Sequence, residues 1–329
     1  MDHNLPNEVI STVLAAAVAS LPYLTTERQI VTAEQLTGGL QNINYKVATT
    51  DGTTVVVRIP STDAQEHGQT AAVVHSSTHA AGSCGVGPEV CAFDSSSGVL
   101  VTRFLDGRVL SSADFVSPRD NDGRLLSSVV ATIKRLHDEC TGMLSSQASD
   151  VLRGYDLGPI PSELRPRVEL LRNLLQRTLG AWDEVVCCHN DLDPSNIIHN
   201  KESARVYLVD WEWSGPGDRV CDLATFCDLC NFDDETERRA LSEYYGQEML
   251  KASTGLYQAR LKLWRIWFVV RGSLWAAVKA ASSSRNKEEP CDFVEYAATG
   301  WKTLAERMDM TAVIEAMQRV REGLSLVGR

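Results

Sequence analysis

In the stretch His189-Asn190-Asp191-Leu192-Asp193-Pro194-Ser195-Asn196, an Asp and an Asn stand five residues apart, and Asp210-Trp211-Glu212 begins fourteen residues after that Asn. Phosphoryl transfer from ATP needs such a set: one carboxylate to accept a hydroxyl proton, and an amide with a second carboxylate to hold magnesium against the phosphates. The spacing implies Asp191 as proton acceptor and Asn196 and Asp210 as metal ligands, with Glu212 helping through the metal shell. An Asx-rich turn followed by a strand would use the same residue types. The apolar flanks and the acids that follow favour the chemical reading.

Those loops need rigid supports. VVCC before the loop and VYLV before Asp210 read as short strands that deliver the polar segments to a shared edge. Upstream, Ile30 to Arg58 carries strand-like runs around a Gly38-Gly39 turn and an Asp51-Gly52 turn, predicting a small antiparallel sheet. Ala64 to Gly82 reads as a helix, and VCAF and GVLVTRF as a further strand pair. Helical spacing recurs at Leu125 to Leu136, Arg167 to Leu179, Leu256 to Ala281 and Thr311 to Gly323. The expected fold class is therefore α+β, with a sheet lobe over residues 1–105, a mostly helical lobe over 106–329 and a cleft between them.

The HxDxxxxN and DxE pair resembles the choline/ethanolamine kinase and aminoglycoside phosphotransferase group, small-molecule relatives of the protein-kinase fold, and the resemblance extends over nearly the whole chain. It implies a phosphate-covering hairpin at Gly38, Gly39 and Asn42, and a phosphate-holding base at Arg58, sixteen residues beyond Asn42. It also implies a lobe hinge whose backbone near Thr102 and Phe104 meets adenine. The family pairs its phosphate base with a helix Glu about eleven residues before the next loop's Gly. Counting back from Gly85 reaches Val74, so either Glu66 approaches through a shifted helix or Arg58 is held otherwise.

On the acceptor side, Trp264 and Trp267 lie three apart on the long helix, a spacing that serves core packing equally well. With Trp213 after the DxE motif and Tyr296 in DFVEYA, the resemblance to choline kinases implies a box of ring faces for a cationic amino alcohol, with Asp228 as a nearby acid. The implied reaction uses ATP and Mg2+ to phosphorylate the hydroxyl of choline or ethanolamine. An aminoglycoside phosphotransferase of the same fold and a catalytically silent binding module are the alternatives.

Composition narrows the partners. Among 329 residues, 43 acids against 32 bases leave a net charge of -11, which opposes binding to nucleic acid or anionic membranes. Nine of the acids and a single base, Arg219, fall between Asp210 and Glu237, a run that suits a cationic acceptor. The uncharged stretch Val9 to Thr26 follows an acidic flank and is too polar to span a bilayer, so it reads as a helix of a cytoplasmic protein. Nine cysteines, with one isolated CxxC at Cys227 and Cys230, read as reduced thiols. A homodimer is left open.

Overall fold

The computed structural model describes residues 29–36, 42–60, 70–116, 124–144, 160–179, 185–253, 255–282, 292–307 and 309–327. The expected helix from Val9 to Thr26 lies outside them, as do Gly38, Gly39 and Glu66.

Alternating apolar residues build the first lobe. Strands β1 (Ile30–Leu36), β2 (Ile43–Thr49) and β3 (Thr54–Ile59) are followed by helix α1 (Ala71–Ser83) and strands β4 (Val90–Phe93) and β5 (Leu100–Arg103). They form one antiparallel sheet in the order β1-β2-β3-β5-β4. Tyr45, Val47, Val55, Val57, Val99 and Val101 fill a small core of their own on this sheet. The turn between β2 and β3 is the expected Asp51-Gly52: Gly52 takes φ +80°, and Asp51 Oδ1 accepts from Thr49 Oγ1 at 2.6 Å and Thr53 N at 3.0 Å.

The second lobe combines helices with short strands. In order come β6 (Arg108–Val109), α2 (Ala113–Val116), α3 (Arg124–Glu139), α4 (Arg165–Leu179), β7 (Val186–Cys188), β8 (Ile197–Asn200), β9 (Arg205–Leu208) and β10 (Gly215–Gly217). Helices α5 (Arg219–Leu229), α6 (Asp234–Tyr245), α7 (Gln247–Ala252), α8 (Leu256–Ser282), α9 (Phe293–Arg307) and α10 (Met310–Val327) follow. Strands β6, β8 and β9 pair as one small sheet and β7 with β10 as another, and they carry the polar loops between them. Gly107, at φ +153°, is obligatory where the chain enters β6, because a Cβ would meet Ile198 Cγ2 at 2.7 Å and His199 O at 2.9 Å. The main core runs from α3 through Leu192 and Trp211 to the buried faces of α5 and α8. The two-lobed α+β expectation holds. One thiol expectation fails: Cys84 and Cys140, at the ends of α1 and α3 and with Cα atoms 5.6 Å apart, are joined as a disulfide. Among the described residues no helix is long and apolar enough to cross a membrane.

Candidate active site

The loop after β7 is held from below by a buried acid. Asp222, on the first turn of α5, accepts from the backbone N–H groups of His189 at 2.8 Å and Asn190 at 2.6 Å. His137 Nε2 lies 3.0 Å from the same carboxylate, and His137 Nδ1 lies 2.6 Å from Tyr244 Oη. The Asp222 carboxylate can only accept, so the ring proton is assigned to Nε2, and the Tyr244 hydroxyl, which accepts from Arg219 at 3.0 Å, donates to Nδ1. Burial opposes ionisation of Asp222, but the bond to His137 and the two backbone donors outweigh it and hold the carboxyl below its usual range.

The loop is also closed within itself. Asn190 and Asp210 adopt left-handed φ values of 64° and 66°, which Asn and Asp tolerate better than branched residues. Asp193 caps the single turn Pro194–Asn196, accepting from Ser195 N at 2.8 Å. Asn196 Nδ2 donates to Asp191 O at 3.0 Å, leaving its Oδ1 as the atom available to a metal. His189 Nε2 donates to Val209 O and Val209 N to Asn196 O, both at 2.9 Å, so the two acidic segments are tied to each other.

A cavity of about 640 Å³ joins these segments to the first lobe, a size in the ordinary range for small-molecule sites. Asp191, Asn196, Asp210 and Glu212 line it together with Asn42, Arg58, Thr102 and Phe104, so the expected catalytic and nucleotide-side residues in the described segments do converge. Arg58 is held by Glu212: its Nη2 lies 2.7 Å from Glu212 Oε1, and Asn42 Nδ2 donates to the same oxygen. Asp210 is exposed at the cavity, and the desolvation of its carboxyl, with the Glu212 carboxylate second, pushes it up to about 8. Desolvation also raises Asp191, and Arg271 opposes that rise. Asp210 and Glu212, two carboxylates that share the single counter-charge of Arg58, beside the Asn196 amide oxygen, fit a hard divalent cation such as magnesium.

The acceptor side departs from expectation. Trp213 and Tyr296 line the cavity, but Trp264 and Trp267 are core residues, 4% and 1% exposed. Trp264 lies one turn, about 6 Å, before the first cavity-lining position on α8, and its Nε1 donates to Asp218 Oδ2 at 2.8 Å. Trp267 is rotated about 100° from its neighbour Phe268 and points into the packed interior. Asp228 is spent on Arg265, whose Nε lies 3.1 Å away, and does not line the cavity.

The helix instead presents Phe268, Arg271, Gly272 and Trp275 to the cavity, spaced i, i+3, i+4 and i+7. That stripe is visible in the sequence, with Arg271 interrupting an apolar run. Arg271 Nη2 stands 3.4 Å from Asp191 Oδ1, and its guanidinium covers the rings of Phe268 at 4.8 Å and Trp213 at 5.4 Å. Gly272 leaves room for Tyr296, whose hydroxyl would lie 3.4 Å from an added Cβ. Trp275 meets Tyr296 nearly edge-on, with ring centroids 6.1 Å apart.

Residues 32–259 match the phosphotransferase enzyme family. Protein LicA of Haemophilus influenzae is 28% identical over 205 residues, 59% of this chain and 74% of that protein. A probable choline kinase 2 of Arabidopsis thaliana is 28% identical over 156 residues, 44% of this chain and 43% of that one. Among solved structures, a choline/ethanolamine kinase family protein from Mesorhizobium loti superposes with a TM-score of 0.73 at 22% identity, over 95% of this chain and 99% of that chain. An aminoglycoside 2'-phosphotransferase-IIIa gives 0.62 at 15% identity, over 92% and 98% of the two chains. At these identities the superpositions establish the fold.

Proposed function

The chain belongs to the phosphotransferase enzyme family, and from that premise we propose that it transfers the γ-phosphoryl group of ATP to the hydroxyl of a small amino alcohol, choline first and ethanolamine second. The observation carrying this reading is a single cavity in which Asp191, Asn196 and Asp210 face Arg58 on one side and the rings of Trp213, Phe268, Trp275 and Tyr296 on the other. Asp191 orients the hydroxyl and takes its proton; Arg58 clamps the nucleotide phosphates, and the backbone beside Thr102 and Phe104 receives adenine. Asn196 and Asp210, with Glu212 beside them, would hold magnesium, which when bound neutralises charge on the phosphates. Glu212 also anchors Arg58. Because Arg271 covers Trp213 and Phe268, the acceptor's ammonium lies outward, against Trp275 and Tyr296. The lobes divide near residue 105.

An ADP-coupled assay with choline, ethanolamine and an aminoglycoside tests this reading. Choline should give the highest kcat/KM. Preference for the aminoglycoside would shift the acceptor class to a polycation, and no ADP from any acceptor would return the chain to a binding module.

A further inference from the structure

The Arg271 side chain is 7% exposed, yet its polar partners are few. A guanidinium carries five N–H donors, and among the described residues this one makes a single long hydrogen bond, 3.4 Å to Asp191 Oδ1. The ring faces of Phe268 and Trp213 fix its plane but accept no strong hydrogen bond. Its other donors are not sealed inside the protein: they open on the cavity that the side chain lines, where the oxygens of a ligand can take the place of solvent. Those donors belong to a side chain that lines the same cavity as Asn196 and Asp210.

We propose that Arg271 is a further catalytic residue, donating hydrogen bonds to the oxygens of the phosphoryl group in transit; this rests on the phosphotransferase reading above. A hydroxyl bound to Asp191 places the phosphorus it attacks about 3–3.5 Å from its oxygen, within the guanidinium's reach. In the step, the hydroxyl oxygen bonds to the γ-phosphorus. The bond from that phosphorus to the β,γ-bridging oxygen breaks, its electron pair leaves on ADP, and the hydroxyl proton passes to Asp191. Arg271 is unchanged throughout. It supplies positive charge on the acceptor side of a cavity lined by four carboxylates, Asp191, Asp193, Asp210 and Glu212, where Arg58 is already bonded to Glu212.

ADP with aluminium fluoride, a mimic of the phosphoryl group in transit, separates this role from packing. In Arg271→Gln, kcat should fall about a hundred- to a thousand-fold for every acceptor. ADP affinity should stay within twofold of wild type while ADP–aluminium fluoride affinity drops at least tenfold. Arg271→Lys, which keeps the charge without the fork, should recover part of kcat and carries the test if Arg271→Gln does not fold. Wild-type kcat in either folded variant, or unaltered ADP–aluminium fluoride binding, overturns the proposal. So does a loss confined to the KM of one acceptor, which would assign Arg271 to an acceptor group. A wild type that turns over no acceptor and binds no ADP–aluminium fluoride overturns the phosphotransferase reading itself; an active wild type with an indifferent Arg271 overturns this inference alone.

Discussion

Arg58 on β3 and Glu212 after β9 form an ion pair across the cleft, Nη2 to Oε1 at 2.7 Å, so a base of the sheet lobe is tied to an acid beside Asp210, the residue proposed to hold magnesium. Their side chains are 14% and 4% exposed, which leaves little water to replace a lost partner. Arg58→Ala should therefore raise the KM for ATP about tenfold or more, with a much smaller effect on the acceptor KM. Glu212→Ala should do the same by releasing the guanidinium. The double variant should lose less than the sum of the two, since each removes the same contact. Strict additivity in ATP KM would separate the two residues functionally.

Asp222 serves the loop and not the substrate. Asp222→Asn replaces one acceptor oxygen by a donor and leaves a buried backbone N–H of His189 or Asn190 unpaired. We expect a stability loss of about 2–4 kcal/mol by urea titration together with a fall in kcat. Because the folded value of Asp222 is depressed, its contribution is present above the unfolded carboxylate pKa, about 4, and is lost only as pH falls through the folded value. The gap between wild type and variant should thus persist undiminished at pH 5. Closure of the gap at that pH would contradict the assignment.

The convergence of Asp191, Asn196 and Asp210 on one cavity was legible because they are close in sequence, carried by short strands whose apolar runs announce them. Arg58 was legible too, but its partner was not: Glu212 is 154 residues away, and local counting pointed to Glu66. The acceptor side failed for a related reason. Periodicity identifies which α8 residues share a stripe, but not where along the stripe the cavity opens. Trp264 lies on the Phe268–Arg271–Trp275 stripe and still misses the cavity by a turn. The Cys84–Cys140 pairing joins the ends of two helices 56 residues apart, and nothing local marks it.

Magnesium held by Asp210, as proposed above, would bind with proton linkage. The folded value of Asp210 is raised to about 8 by desolvation and Glu212, so between about pH 4 and that value the folded chain holds more protons than the unfolded one. Stability of the metal-free protein should therefore fall as pH rises through this interval. Magnesium requires the ionised carboxyl, so its binding in the presence of ADP at pH 7 should release protons. Calorimetry in two buffers of different ionisation enthalpy should give different apparent heats, and Asp210→Asn should abolish the metal-dependent heat. Equal heats in both buffers for the wild type would refute the linkage.

The four tryptophan and tyrosine positions should separate into two behaviours. Trp264 and Trp267 are buried among apolar side chains, and Trp264 also bonds Asp218, which holds the buried Arg260 at 2.6 Å. Trp264→Ala and Trp267→Ala should each cost about 3–5 kcal/mol of stability. Provided the variants fold, their acceptor KM should stay near wild type. Trp275 and Tyr296 lie at the cavity, and Tyr296 is 46% exposed, so little packing depends on it. Removing either ring should raise the acceptor KM about 2- to 30-fold, matching roughly 0.5–2 kcal/mol of cation–ring attraction, and leave the KM for ATP alone. The measurement is a thermal melt paired with acceptor kinetics on all four variants. If Trp264→Ala raises acceptor KM while Trp275→Ala does not, the ring cluster has been placed one helical turn too far along α8.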